Sequence, residues 1–376
     1  MGRDKIITLQ SLPIQFSLAF RKIFYIIREF LDTNFTPPLC ASCSKSEGNR
    51  IAFIDLAKGI CILLVVFSHS NMSEYLNIPI LKTLRMPLYF LLSGLFFKNY
   101  GSLYNLFEKK LNKLIVPFIF FSIIAIPLIY LNFHAITIKD LIAPITDIKG
   151  GYNLPIWFLL SLFWVNIIFG CITLFFKKIV FQGASVIVLC IAGVYLANNG
   201  IHLPLFFTQA LIAMPFFFAG YILKKTPLLY DSPKYDKSLM LYSFVMLLLC
   251  VVLFSPIGTP MLDFFYLDFT GNILLAYIFS IIVVVATLLI CKRIKWLPII
   301  SYIGRFSVIV LGLHWLYIKA YSMGYSYFIS PDLNIPLRFI VVVVACWISI
   351  PFVLKLVPHM VAQRDLIKLP KPSETK

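Results

Sequence analysis

The sequence predicts an all-α integral membrane protein of about ten transmembrane helices with both termini cytoplasmic, and three observations carry that prediction. First, 60% of the 376 residues are hydrophobic and 13% are charged, with a mean hydropathy of +0.90. A water-soluble domain has about 45–50% apolar and about 25% charged residues. Second, apolar stretches of roughly 17 to 24 residues recur along nearly the whole chain, long enough to span a bilayer as helices and lacking the alternation of barrel strands. Third, the basic residues are unevenly shared between alternate connections. Seven Lys and Arg fall in residues 1–50, four in 98–113, two in 177–178, four in 224–237, three in 292–295 and five in 355–376. The intervening connections hold only Lys82, Arg85, Lys139, Lys149, Lys319 and Arg338. Cytoplasmic loops carry the excess of Lys and Arg, so the first set faces the cytoplasm. The net charge of +17 is thereby a topology signal, not a nucleic-acid footprint.

In chain order, residues 1–50 form a basic cytoplasmic segment. SLPIQFSLAFRKIFYIIREFL mixes aromatic and aliphatic residues with Arg21, Lys22 and Arg28, as a helix lying on the inner leaflet does. Those charges and the missing cleavage site exclude a signal peptide. Pro37 and Pro38 mark a linker. Cys40 and Cys43 form a CxxC without the second pair or nearby histidine of a zinc site, so no metal is expected. Ten spans follow, at about residues 52–70, 81–98, 114–131, 154–176, 179–198, 204–223, 239–256, 271–291, 297–320 and 336–357. Cys61, Cys171, Cys190, Cys250 and Cys346 lie inside them and read as small core hydrophobes. The short connections leave no room for a separate soluble domain. The longer external ones, 132–153 and 257–270, carry Gly150, Gly151, Asp263 and Asp268 and could form a mouth. Residues 51–357 therefore form one multi-pass domain of the inner membrane, and 358–376 a cytoplasmic tail.

The chemistry concentrates in IDLAKGICILLVVFSHS. Lys58 and His69 are about 20° out of phase on one helix and roughly 16 Å apart along its axis. Ionisable groups at such depth are costly, which favours a functional reading over one in which Lys58 snorkels and His69 sits among headgroups. Span nine repeats the layout, with Arg305 toward the cytoplasm and His314 nine residues further out. A neutral imidazole suits a general base, and an inner cation suits a phosphate-bearing cosubstrate. Arg85 opens span two near the depth of His69, where it could hold a substrate or a developing oxyanion. Lys109, Lys110 and Lys113 form a basic run that serves either phosphate binding or topology. Trp157 begins span four, where it is either a belt aromatic or a sugar-stacking face. Glu74, Asp263 and Asp268 are the carboxylates available to His69.

In order and spacing, DLAKGICILLVVFSH, RMPLYFLLSGLFF, KKLNKLIVPF, LPIWFLLSLF and IGRFSVIVLGLHWL resemble the membrane acyltransferase-3 family, nearest to its fucose 4-O-acetylase-like branch. The resemblance implies transfer of an acyl group, usually acetyl from acetyl-CoA, to a hydroxyl of an envelope glycan or glycolipid. The family's first-span signature sets ten residues between an arginine and the histidine. Lys58 and His69 keep that spacing with lysine substituted, which retains the charge and loses the bidentate fork. On this reading His69 is the base, Arg85 and His314 assist it, and Lys58, Lys110, Lys113 and Arg305 hold acetyl-CoA while Trp157 contacts the sugar. A transporter or flippase for a glycan or small acid is the rival, and a scaffold for envelope enzymes a third possibility. The acceptor, the acyl group and the oligomeric state stay open.

Overall fold

The computed structural model describes residues 52–76, 80–98, 100–133, 153–226, 241, 243–245, 261–324 and 330–368. The amino-terminal segment with Cys40 and Cys43, the connection 134–152 and most of the span expected over 239–256 lie outside the described residues.

The chain opens with α1 (Ala52–His69), a single short turn α2 (Met72–Tyr75) and α3 (Ile80–Leu95). α4 (Leu103–Lys110) continues through a π turn (Leu111–Ile115) into α5 (Val116–Phe133). A 3₁₀ turn at Leu154–Ile156 leads into α6 (Trp157–Phe175), followed by α7 (Ile179–Asn198). α8 (Phe207–Leu223) precedes a small antiparallel hairpin, β1 (Met261–Asp263) and β2 (Asp268–Thr270). The remaining elements are α9 (Ile273–Ile294), α10 (Pro298–Arg305), α11 (Ser307–Gly324) and α12 (Pro331–Leu356).

Among the described residues seven helical segments are long and apolar enough to cross a membrane, or eight if α10 and α11 count as one span. Ten were expected, and the boundaries of three differ instructively. α3 has 16 residues, about 24 Å of helix, less than a hydrocarbon core of about 30 Å. The third span begins at Leu103 rather than 114, with Ser102 Oγ accepting from Asn105 N at 3.2 Å as its cap. Lys109, Lys110 and Lys113 break the apolar run there, yet lysine is a good helix former and the helix passes straight through. The ninth span is two helices that meet at 93° around Phe306. Arg305 and His314 therefore do not share one straight helix, and the expected repeat of the first-span layout is not present.

Close helix packing rests on glycines. A Cβ built on Gly304 of α10 would lie 1.9 Å from Asp55 O and 2.4 Å from Gly59 N, and one on Gly59 would lie 2.0 Å from Ile300 O. α1 and α10 thus touch backbone to backbone, as small residues permit in a membrane. α3 and α8 meet in the same way at Gly94 and Gly220. Around this seam, Phe53, Leu56 and Ala57 of α1 pack with Leu88, Leu91 and Leu92 of α3 and with Phe279, Val283 and Leu288 of α9.

The hairpin was expected only as a connection. Asp263 Oδ1 accepts from Phe265 N and Tyr266 N at 3.0 Å each, which turns the chain, while Leu262, Phe264 and Leu267 bury their side chains. It rests on α3 and α9, the former carrying Arg85.

Beyond α12 the chain returns across α4 and the π turn. Lys109 Nζ meets Asp365 Oδ2 at 2.5 Å. Asn112 Oδ1 accepts from Leu366 N at 2.7 Å and Ile367 N at 2.8 Å, and its Nδ2 donates to Ile367 O at 2.8 Å. Lys113 Nζ donates to Ala362 O.

Candidate active site

His69 is the last residue of α1, which ends because Asn71 adopts a left-handed conformation (φ 63°). His314 lies within α11, fully buried. Two residues before it, Gly312 O accepts from the buried Asn153 at 2.7 Å, which ties α11 to the entry of α6. The packing of α11 beside α1 brings the two imidazoles together. His69 Nδ1 and His314 Nε2 are 2.9 Å apart, and the rings are parallel to within 4°.

The remaining nitrogen of His314 sets the protons. His314 Nδ1 lies 2.9 Å from Val310 O. A carbonyl only accepts, so Nδ1 of His314 carries hydrogen and its Nε2, in the neutral ring, holds a lone pair. His69 Nδ1 must then donate to it. That leaves the lone pair of His69 on Nε2, on a half-buried side chain at the helix end. The arrangement is one imidazole whose tautomer and orientation are set by a second, buried one.

Three further groups frame His69. The edge of Trp315 packs against its ring at 5.4 Å and 79°. Arg85 lies on α3, which packs against α1 and against the hairpin that carries Asp263. Its Nε and Nη1 are buried with no hydrogen-bond partner among the described residues, while its carbonyl accepts from Cys61 Sγ at 2.7 Å. Arg338 of α12 donates from Nη2 to Ser70 O at 2.6 Å, one residue beyond His69. Trp315 follows His314 directly and stands in the sequence only as part of the motif IGRFSVIVLGLHWL. Arg338 read as a connection residue, and its place among the few basic residues outside the cytoplasmic set was the available signal.

The structure assigns none of the expected carboxylates to His69. Its partner is an imidazole, and Asp263 instead holds the hairpin turn.

The expected cosubstrate residues lie elsewhere. Lys58 sits at the other end of α1, half-buried, with Nζ 5.0 Å from the Phe96 ring centroid. Lys224, not anticipated, donates to the backbone carbonyl of the neighbouring Phe97 at 3.0 Å, so two cations lie by the carboxy-terminal end of α3. Arg305 is exposed with its guanidinium 5.2 Å from the Phe306 ring centroid, and α10 crosses α1 at Gly59, beside Lys58. Lys113 is engaged by the returning carboxy-terminal segment, as is Lys109. Lys110, between them in sequence, makes no hydrogen bond or ion pair among the described residues. Trp157 is 7% exposed and its ring is covered by Phe158, Phe206 and Phe265. Among the described residues its contacts are aromatic packing.

Apolar helices of membrane length that pack around a hydrogen-bonded imidazole pair define a polytopic membrane protein. A family model described as an acyltransferase domain, acyltransferase-3, matches residues 51–354, and the chain belongs to that family: it is a membrane acyltransferase. No curated protein and no solved structure matches it.

Proposed function

We propose that this acyltransferase moves an acetyl group from acetyl-CoA to a hydroxyl of an envelope glycan or glycolipid at the inner membrane, as in the fucose 4-O-acetylase-like branch, with His69 as general base. The observation that supports this most is the chain Val310 O to His314 to His69, which leaves Nε2 of His69 basic and aimed away from its partner. Nε2 takes the acceptor hydroxyl proton as that oxygen bonds to the thioester carbonyl carbon. The carbon–sulfur bond then breaks, and the proton passes from His69 to the departing thiolate. His314 spreads the positive charge of protonated His69 through their hydrogen bond. Arg85, with two uncommitted N–H groups, supplies donors for the negative charge that develops on the carbonyl oxygen.

The phosphate-bearing part of the donor belongs at the Lys58 end. Lys58 and Lys224 offer a pair of cations there, Arg305 is near, and Lys110 is the uncommitted member of the basic run. The eleven residues from Lys58 to His69 span roughly 16 Å of helix, the scale of an extended pantetheine arm. This orientation puts the basic ends of the helices and the donor in the cytoplasm, and the acceptor on the opposite side.

The test uses full-length chain in lipid nanodiscs with acetyl-CoA labelled in the acetyl carbon and a glycan extract from the envelope. Label should enter the glycan as a hydroxylamine-sensitive ester. Glycan movement across sealed vesicles without any incorporated label would favour the transporter reading and overturn this one.

A further inference from the structure

Only six basic residues fall toward the side opposite the basic set, and three of them lie on helices near the His69 end of α1. Arg85 lies on α3 beside α1, with Nε and Nη1 buried and without a hydrogen-bond partner among the described residues. Lys319, one turn beyond Trp315 on α11, places Nζ 5.2 Å from the Trp315 centroid, and that ring meets His69 edge-on. Arg338 reaches from α12 to the carbonyl of Ser70. Three acidic residues lie in the same region. Asp263 has Oδ1 committed to two backbone N–H groups, Asp268 pairs with it across the hairpin, and Glu74 is exposed on α2.

Arg338 is the informative member. Only Nη2 has a hydrogen-bond partner among the described residues. Nε is buried without one, and Nη1 makes none. Ser70, fully buried beside it, also has a hydroxyl without a partner among the described residues. A guanidinium in a membrane-length helix carries a desolvation cost that one carbonyl contact does not offset. Guanidinium N–H groups and a hydroxyl next to a base form a donor set that matches the oxygens of a carboxylate or phosphate.

Building on the acyl-transfer reading, we propose that the acceptor is anionic and that Arg338, supported by Lys319 and Ser70, binds its carboxylate or phosphate group so that a nearby hydroxyl meets Nε2 of His69. Arg338 is on this account a specificity-determining residue. A sugar acid and a lipid-linked sugar diphosphate share this chemistry.

The test measures binding to full-length chain in nanodiscs for two matched pairs, trigalacturonate against galactotriose and farnesyl diphosphate against farnesol. In at least one pair the anionic member should bind ten times more tightly or better. Arg338→Gln should remove that preference, Arg338→Lys should keep part of it, and Lys319→Gln should weaken it about threefold, as a partner at the rim does. The pair that shows the preference tells a sugar acid from a lipid diphosphate. Equal binding within both pairs, or a preference that survives Arg338→Gln, would overturn the proposal. If Arg338→Gln does not give a monodisperse protein, Lys319→Gln decides by the same readout. Binding needs no acyl transfer, so a chain that acylates nothing would defeat the acetyl-transfer reading while leaving this result legible.

Discussion

His69 and His314 share a 2.9 Å hydrogen bond across 245 residues of sequence, and the direction of that bond is set by a third atom, the carbonyl of Val310. One imidazole is fully buried and the other half-buried, so the two differ in their access to solvent and ligand.

His69→Gln is expected to lower kcat for acetyl transfer by about 10² to 10⁴, the usual contribution of a positioned base. Its abundance in the membrane should stay close to normal, since the residue is half-buried at a helix end. Wild-type rate in the purified variant would remove His69 from the mechanism.

His314→Gln keeps a polar group but breaks the tautomer chain, and should cost less than loss of His69. The two changes act on one unit, so the double variant should be no slower than His69→Gln alone. Rates that multiply would show that the imidazoles work independently.

For Lys58, replacement by Arg should keep most activity. Replacement by Met should raise the half-saturating acetyl-CoA concentration while changing the acceptor requirement little. Titration of the cosubstrate against purified Lys58→Met protein checks this, and an unchanged half-saturating concentration would take Lys58 out of cosubstrate binding.

Gly304→Leu should sharply reduce folded protein, because even a Cβ there would lie 1.9 Å from the Asp55 carbonyl. Overpacking costs about 1 to 3 kcal/mol when neighbours can yield, and backbone yields least. Gly324→Ala meets nothing within 4 Å and is the matched control. Detergent-solubilised yield and melting temperature read the difference.

The attachment of the carboxy-terminal segment should depend on pH. Lys109 beside Asp365 holds that carboxyl below the usual carboxylate range. A depressed folded value means the contribution is present above the unfolded value near 3.9 and lost as pH falls through the lowered one. The protection factors of Leu366 and Ile367 against hydrogen exchange, relative to the intrinsic rate at each pH, should therefore fall in acid, and Asp365→Asn should flatten that pH dependence. Asn112→Ala, which removes the acceptor of both amides, should quicken exchange at every pH.

Much of the helical architecture was legible because lipid imposes a crude length and polarity rule on each span, and the first-span pairing of Lys58 with His69 follows from helical phase alone. The contact between His69 and His314 was not. It depends on the 93° turn at Phe306 and on the backbone approach of Gly59 to Gly304, and neither leaves a hydropathy signal. The search for a carboxylate partner failed for the same reason, because the partner lay on another helix whose direction had changed. Arg338 was misread through its position in sequence: it borders a connection, but the early turns of α12 bring it back to Ser70. Trp157 shows the converse, a residue whose chemistry invites a ligand and whose neighbours Phe206 and Phe265 already cover it.

The lacing of residues 362–367 onto Lys109, Asn112 and Lys113 has a practical corollary for anyone handling this molecule. A recombinant version trimmed where the recognisable domain stops, near residue 354, would strip the ligature from the basic helix while removing only the last two residues of α12. Such a truncated product would differ at the cationic end in charge and in access. Affinity handles are better placed after residue 368, beyond the contacts that residues 362–367 make.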